Sequence, residues 1–526
     1  MERHVAPAAT KRAAICAIYA AVQAPEWAAP NLDGLIDVLR DLSWLPPGPI
    51  VLHWPDSRRL PAADEQAIRA ALDIVAADTA QTDRPVSVAY PGVAQSRRAG
   101  YARPRGSLRR QRVSLFNTGR VPSELPAGET PPRDGRLPPT ALDELRDPPF
   151  GIYVHVPFCE TRCGYCDFNT YTAVELGPSV SRGSYADTVL MELRLAQQVL
   201  RDRAPQVSTV FFGGGTPTVL PAEHLDLIVK EIGERFGIAP DAEITTEANP
   251  ESVTPAYLGR LRAAGFTRLS VGMQSAVPRV LEVLDRRHRP GRPEEVVQEA
   301  RAAGFEHVNL DLIYGAPYES EADWQASLDA AIGAAPDHIS AYALVVEQGT
   351  ALARHVAQGV LPAPDDDVLA DRYAQADEAL RRAGFEWYEV SNWAKTPAGR
   401  CRHNELYWRD ANWWGAGPGA HSHVGGVRWW NVKHPVRYST LLEAGRSPAA
   451  GREVLGGKAR LTERIMLGIR LREGLSMLDI PQSTHAKVPQ LVGWGLADQD
   501  AFHAGRIVLT MRGRLLADAV VRDLLG

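Results

Sequence analysis

The sequence predicts an α/β protein whose main part is an open (β/α)6 partial barrel. Seven strand-like runs recur between 150 and 395, at 152–156, 207–212, 243–247, 268–273, 307–313, 338–344 and 385–390. Helical patterns fill most of the intervals, at 221–236, 255–264, 294–303, 321–334 and 366–383. Strands separated by crossover helices argue for a parallel sheet. Glycine-rich and polar stretches then fall at the C-terminal ends of these strands, where such barrels gather their chemistry. Six to seven strands rather than eight leave the barrel open.

Residues 1–92 alternate helical patterns (13–22, 32–42, 64–77) with strand patterns (49–54, 86–90), which suggests a small α/β unit. Lys11-Arg12 before the apolar stretch 13–22 mimics the start of a signal peptide. No small-x-small cleavage site follows cleanly, so a buried helix is the better reading. Residues 93–148 read as a linker: eight Arg and no Asp or Glu lie between Gly92 and Ser123, then Pro and Gly dominate to Pro149. Such a run can bind RNA or lipid, but a solvated connector is the commoner outcome. The barrel follows over 149–395, a barrel-closing segment over 396–454, and a small helical, winged-helix-like domain with a strand-like end at 506–510 over 455–526.

Composition narrows the function classes. With 58 Lys and Arg against 63 Asp and Glu, net charge gives no reason to expect nucleic acid. Five cysteines, three of them clustered, are not a disulfide framework. Clustered thiolates need a reducing compartment, so cytoplasm is the expected location. No apolar run reaches the ~18 residues that span a bilayer.

The cluster is Cys159, Cys163 and Cys166, in His155-Val-Pro-Phe-Cys-Glu-Thr-Arg-Cys-Gly-Tyr-Cys-Asp-Phe168 after the first barrel strand. Three thiolates in C-x3-C-x2-C spacing can hold three irons of a 4Fe–4S cluster and leave the fourth open. The rival is a structural zinc site completed by Cys401 or a His, though zinc sites usually pair C-x2-C units. Gly213-Gly-Gly-Thr-Pro217 follows the second strand, where glycine lets backbone approach a ligand. Glu247, Gln274 and Asp311 stand at successive strand ends, and Arg286 is expected on the helix after Gln274. Buried carboxylates need partners, and each of these residues taken alone is as well explained as a structural polar group of the barrel.

These motifs resemble the radical-SAM proteins, and among them the coproporphyrinogen III oxidase-like family. The matching stretches are Tyr-Val-His-Val-Pro-Phe-Cys, Phe-Phe-Gly-Gly-Gly-Thr-Pro-Thr, Glu-Ala-Asn-Pro-Glu, Ser-Val-Gly-Met-Gln-Ser and Asp-Leu-Ile-Tyr-Gly. The resemblance implies a 4Fe–4S cluster on the three cysteines. It also implies S-adenosylmethionine contacts from Tyr153, Tyr165, Gly214, Gly215, Thr216, Glu247, Gln274, Arg286, Asp311 and Ala343. The oxidase branch has a further cysteine two residues after the third ligand. Phe168 stands there instead, which resembles the HemW-type heme chaperone branch. That branch carries a motif matched by His403-Asn-Glu-Leu-Tyr-Trp408, which implies heme contacts from His403, Tyr407 and Trp408. Cys401 is an alternative iron ligand, although a free buried thiol is commoner. Gly415-Ala-Gly-Pro-Gly-Ala-His-Ser422 also matches and is expected to close the site. The implied activity is to bind heme and pass it to an acceptor such as a respiratory membrane enzyme. The alternative is oxidative decarboxylation of coproporphyrinogen III.

Ala24-Pro-Glu-Trp27, Asn31-Leu-Asp-Gly-Leu-Ile-Asp37 and Pro49-Ile-Val-Leu-His-Trp54 resemble barstar, a ribonuclease inhibitor. Asp33 and Asp37 would lie on one helix face and could meet a basic nuclease cleft. The family's first strand is expected to be missing or very short, and a later acidic contact residue is replaced near Ala76-Ala77-Asp78, so the resemblance supports fold more than inhibition. Val121-Pro-Ser-Glu-Leu-Pro resembles the start of a heme chaperone's own leader, and valine can be encoded by the start codon GTG. We therefore expect a natural start near Val121, with residues 1–120 read from a neighbouring gene. An immunoblot showing a native product near full length would overturn this.

Overall fold

The computed structural model describes residues 1–24, a subset of 35–79, 84–90, 128–145, 149–172 and 182–525. It divides into two units, Met1–Arg112 and Val113–Gly526. In the first unit, β1 (Glu2–His4), β2 (Ile50–His53) and β3 (Val86–Ala89) form a parallel sheet in that order. The strand before residue 13 is thus present, at three residues. Helix Lys11–Val22 starts where the Thr10 side chain accepts from Ala13 N–H, and it buries Ala14, Ile15, Ile18, Tyr19 and Val22. That three-and-four spacing marks an amphipathic core helix. Leu35, Val38 and Leu39, then Ile68, Leu72 and Val75, are also buried at helical spacing. Many other positions of the helices predicted at 32–42 and 64–77 lie outside the described residues, as do Asp33, Asp37, the basic stretch and Val121.

In the second unit six parallel strands follow one another through the sheet. They are β4 (Phe150–Val156), β5 (Val207–Gly214), β6 (Ile238–Ala248), β7 (Arg268–Gln274), β8 (His307–Tyr314) and β9 (His338–Ala343). Their apolar face, with Ile152, Val154, Val210, Phe212, Leu269, Val271, Leu310 and Ile339, is fully buried. It meets the crossover helices, which present residues such as Leu225, Ile228 and Ile232 from Ala222–Phe236. Each such side chain contributes about 1.5–3 kcal/mol through burial. Helix Glu321–Gly333 is fixed at its start by a Ser320/Asp323 capping box.

β4 and β9 do not pair with each other, so the barrel is open. Beyond β9 lie β11 (Asn392–Ala394) and then β10 (Glu386–Glu389), both antiparallel to their inner neighbours. The seventh predicted run is therefore the outer strand of a hairpin rather than a barrel strand. Beyond β4, β12 (Asn412–Ala416) pairs in parallel, and β13 (His421–Val424), β14 (Val427–Asn431) and β15 (Ala449–Val454) extend the sheet as an antiparallel meander. The C-terminal helices Gly457–Gly468, Val488–Gly493 and Ala517–Leu525 share a separate core of Ile465, Ile469, Val488, Leu491, Val520 and Leu524. The two-residue strands β16 (Leu475–Ser476) and β17 (Arg506–Ile507) pair beside them. Among the described residues, no helix is long and apolar enough to cross a membrane.

Candidate functional site

Strand register decides what faces the lumen. Tyr153 on β4 stands level with Phe211, Phe211 with Thr245, and Thr245 with Arg268. Ser270 stands level with Asn309, Asp311 with Ser340, and Ile313 with Tyr342. Side chains alternate faces along a strand, so one face of all six strands is polar or aromatic. The sheet curls enough for Tyr153 and Tyr342 to line the same cavity of about 280 Å³. Glu247 and Asp311 both line it. Asp311 accepts from Ser270 Oγ (2.6 Å) and Asn309 Nδ2 (2.8 Å). Glu247 accepts from Gly214 N–H at 3.1 Å. Burial, then the Asp311 charge, push Glu247 up to about 8 despite that bond. At neutral pH its carboxyl keeps a proton and can both donate to and accept from a ligand hydroxyl.

The C-terminal rim gathers the other predicted residues. Cys159 is buried and Cys163 and Cys166 are half-buried, all on the loop after β4. Arg286 Nη1 donates to Cys163 Sγ at 3.5 Å, and Thr216 Oγ1 to Cys159 Sγ at 3.9 Å. Among the described residues no three His, Cys, Asp or Glu side chains close around one metal ion. A mononuclear zinc site needs such closure, whereas a cubane takes its thiolates on separate irons. Tyr165 packs against an apolar cluster that includes Val280, Leu284, Ile313 and Leu344. The Gly213–Gly215 backbone passes close to its neighbours. Gly214 has φ +104°, and a Cβ there would sit 2.6 Å from the His155 ring. Gln274, at the end of β7, has φ +64°, a left-handed conformation uncommon outside glycine. Arg286 lies beyond helix Pro278–Val283 rather than on it, tied back by its N–H to Leu281 O. Among the described residues, Arg286 Nε is buried without a hydrogen-bond partner. A fixed guanidinium with a spare donor, beside three thiols and a glycine-walled strand end, fits an anionic cluster with a carboxylate-bearing ligand. Ala343 ends β9 on the same rim.

Helix Arg402–Trp408 covers the opposite end of the lumen and packs against β4 and β5. Glu243 on β6 accepts from the backbone N–H of Arg402 (3.2 Å) and His403 (3.1 Å), and from Cys401 Sγ at 3.7 Å. Arg268 Nε bonds Glu243 at 2.9 Å, and its Nη2 caps the carbonyls of Gly399 and Arg400. His403 is 1% exposed. Its Nδ1 bonds Thr209 Oγ1 (2.7 Å) and its Nε2 bonds Tyr407 Oη (2.9 Å). Burial lowers its pKa to about 4, so the ring is neutral. The motif expected to meet heme thus forms the lumen floor, with both His403 nitrogens engaged. Cys401 is buried against Glu243, away from the cysteine loop.

Comparison with known proteins places this architecture. The radical SAM superfamily model matches residues 153–331, and the barstar (barnase inhibitor) model matches residues 3–90. Heme chaperone HemW of Mycobacterium tuberculosis (strain H37Rv) is 55% identical over 378 residues, which is 72% of this chain and 95% of that protein. The chain belongs to the HemW family. HemW of Synechocystis is 35% identical over 350 residues, 65% of this chain and 83% of that protein. The mouse mitochondrial radical S-adenosyl methionine domain-containing protein 1 is 32% identical over 419 residues, 77% of this chain and 90% of that protein. Among solved structures, the radical SAM enzyme coproporphyrinogen III oxidase (HemN) of Escherichia coli superposes with a TM-score of 0.62 at 23% identity. It covers 73% of this chain and 91% of that one, a likeness of fold.

Within this HemW-family chain, sequence reasoning misses Arg268 and Thr245. Both line the lumen, and among the described residues Arg268 Nη1 and Thr245 Oγ1 are buried without hydrogen-bond partners. Their signal is the alternation in Thr-Thr-Glu and Arg-Leu-Ser, which puts a polar residue on every lumen-facing position. His421, inside the Gly415–Ser422 stretch expected to close the site, is an exposed residue at the start of β13.

Proposed function

We propose that this protein is a heme chaperone: it takes heme as cargo, holds it, and passes it to acceptor proteins such as respiratory membrane enzymes. The observation that carries this reading is the 95% coverage of a protein named heme chaperone HemW at 55% identity. The constellation on one barrel rim supports it. Cys159, Cys163 and Cys166 are proposed to hold a 4Fe–4S cluster. Tyr153, Tyr165, Gly214, Gly215, Thr216, Glu247, Gln274, Arg286, Asp311 and Ala343 are proposed to hold S-adenosylmethionine. When bound, this pair supplies one-electron chemistry at the sulfonium. The chain's own residues set its surroundings: Arg286 offers its free Nε to a carboxylate, and protonated Glu247 offers a donor and an acceptor to a diol. Phe168, 58% exposed, stands where the oxidase branch has a cysteine and favours cargo handling over porphyrinogen chemistry. A location in the reducing cytoplasm suits the cluster.

The test is anaerobic reconstitution, titration with hemin, and transfer to an apo-hemoprotein. Binding of one hemin per chain and gain of acceptor activity are expected. No saturable binding, or anaerobic formation of protoporphyrinogen from coproporphyrinogen III, would overturn the reading. The barstar match over residues 3–90 supports the fold of that part and motivates one second reading, ribonuclease inhibition. A pull-down with barnase by the full chain tests it, and absence of binding removes it.

A further inference from the structure

The heme-chaperone reading leaves open where the iron is held, and the lumen is a poor host. Its cavity of about 280 Å³ is at the small end for ligand pockets, and its lining residues Tyr153, Glu247 and Asp311 are already proposed to hold S-adenosylmethionine. The His403 nitrogens are both occupied inside the floor. Register carries the lumen-facing side of the sheet outward past β4. Trp413 on β12 stands level with Gly151, His423 with Trp413, and Trp430 with His421. Tyr153, Trp413, His421 and Trp430 therefore share one face.

The strand histidines differ in what their nitrogens do. His155 bonds Tyr153 Oη and Asn169 O, and His338 bonds Asn309 Oδ1 and Tyr388 Oη. His423 bonds Ala411 O and faces Asp410, and His307 Nδ1 is buried without a hydrogen-bond partner among the described residues. His421 is exposed, and among the described residues neither of its ring nitrogens has a partner. Desolvation by the surrounding protein, then the charges of Lys433, His155 and Arg428, lower its pKa to about 4. A neutral imidazole is the form that ligates iron.

Its surroundings brace the ring and set a cation beside it. The Trp430 ring lies 6.1 Å from the His421 ring at 28°, nearly parallel. Trp430 is held rigid, since a Cβ at Gly128 or Gly451 would come within 2.6 or 2.5 Å of its indole. Trp413 is pinned beside it by Nε1–H donating to His421 O at 2.9 Å. Lys433 is exposed with its ammonium free of any ion pair among the described residues, close enough to act on His421. Arg428, by contrast, is consumed by Glu453 and Glu463.

We propose that His421 is the axial ligand to the heme iron, with the buried Trp430 bracing its ring from the side and Lys433 receiving a propionate carboxylate. The inference rests on the heme-chaperone reading and adds its binding site. The test uses the full chain, titrated with hemin and followed by the Soret band. His421→Ala should weaken hemin binding on the order of tenfold or more, the scale met when a metal site loses a supporting group. Added imidazole should restore the wild-type spectrum. His421→Met, which keeps a side chain in place, should shift the Soret band without releasing hemin. If wild type fails to bind hemin, the heme-chaperone reading falls. If wild type binds but His421→Ala and His421→Met keep its affinity and spectrum, the ligand assignment alone falls. A Soret shift in His403→Ala with none in the His421 variants likewise overturns the assignment.

Discussion

Glu243→Gln is the sharpest probe of how the lumen floor is held. Glu243 and Arg268 are 5% and 1% exposed, and their Nε–Oε2 contact is 2.9 Å. The carboxylate also collects the backbone N–H groups that open helix Arg402–Trp408. Glutamine keeps the shape but removes the counter-charge and replaces one acceptor with a donor facing other donors. Breaking a buried pair from one side costs about 3–5 kcal/mol, because the remaining charge stays buried. The double variant Glu243→Leu/Arg268→Met should lose less than the sum of the singles. Urea unfolding followed by tryptophan fluorescence reads this, since Trp393, Trp413 and Trp414 belong to the same sheet. The effect is also pH-dependent. Burial works to raise the Glu243 pKa, but Arg268 and the two N–H groups outweigh it, and the net shift is downward. A depressed carboxyl contributes stability that is complete above its unfolded pKa and is lost as pH falls through the folded value. The gap between wild type and variant should therefore close toward acid. A loss under about 1 kcal/mol at pH 7, or a gap that does not change with pH, refutes the argument.

Replacing any one of Cys159, Cys163 or Cys166 with alanine should abolish iron and sulfide incorporation on anaerobic reconstitution, read by iron content and visible absorbance. Gly214→Ala should destabilise by about 1–3 kcal/mol, given its positive φ and the close His155 ring, and should weaken S-adenosylmethionine binding, read by thermal unfolding and calorimetry. Buried Glu192 bonds Gly417 N–H, Asn431 Nδ2 and Tyr438 Oη, yet burial raises it to about 7. The folded state then keeps a proton that the unfolded state releases. Stability should decline by about 3 kcal/mol as pH rises from roughly 4.5 to 7. Glu192→Gln should flatten that slope, read by urea unfolding across the same pH range.

The parallel strands are legible in the sequence because each pairs an apolar outer face with a polar inner one, a period of two that survives in Arg-Leu-Ser-Val and Asn-Leu-Asp-Leu. The rim is legible because cysteines and glycines mark it at strand ends. The β12–β15 meander is not. Its strands are short, and Trp413, Trp414, Trp429 and Trp430 put indoles on both faces, which erases the alternation. Arg286 reads as helical because Pro278 announces a helix, but nothing in the sequence marks its end at Val283. The inward turn of His403 is hidden for a similar reason. A histidine four residues before a tyrosine suggests one helix face, and only Thr209 on β5 reveals which way that face points.

The pairing of β4 with β12 has a consequence for synthesis. β4 leaves the ribosome first among the barrel strands, and β5 soon covers one of its edges. Its other edge waits for Asn412, which pairs with Phe150 about 260 positions earlier in the chain. At about 5–20 residues per second that edge stays open for roughly 13–50 s. A nascent strand reading Phe-Gly-Ile-Tyr-Val-His-Val is a ready template for foreign strands during that time. Shielding of the growing chain by a trigger-factor-like holdase is therefore an expected requirement for high yield, and slowing translation before residue 412 should raise the aggregated fraction.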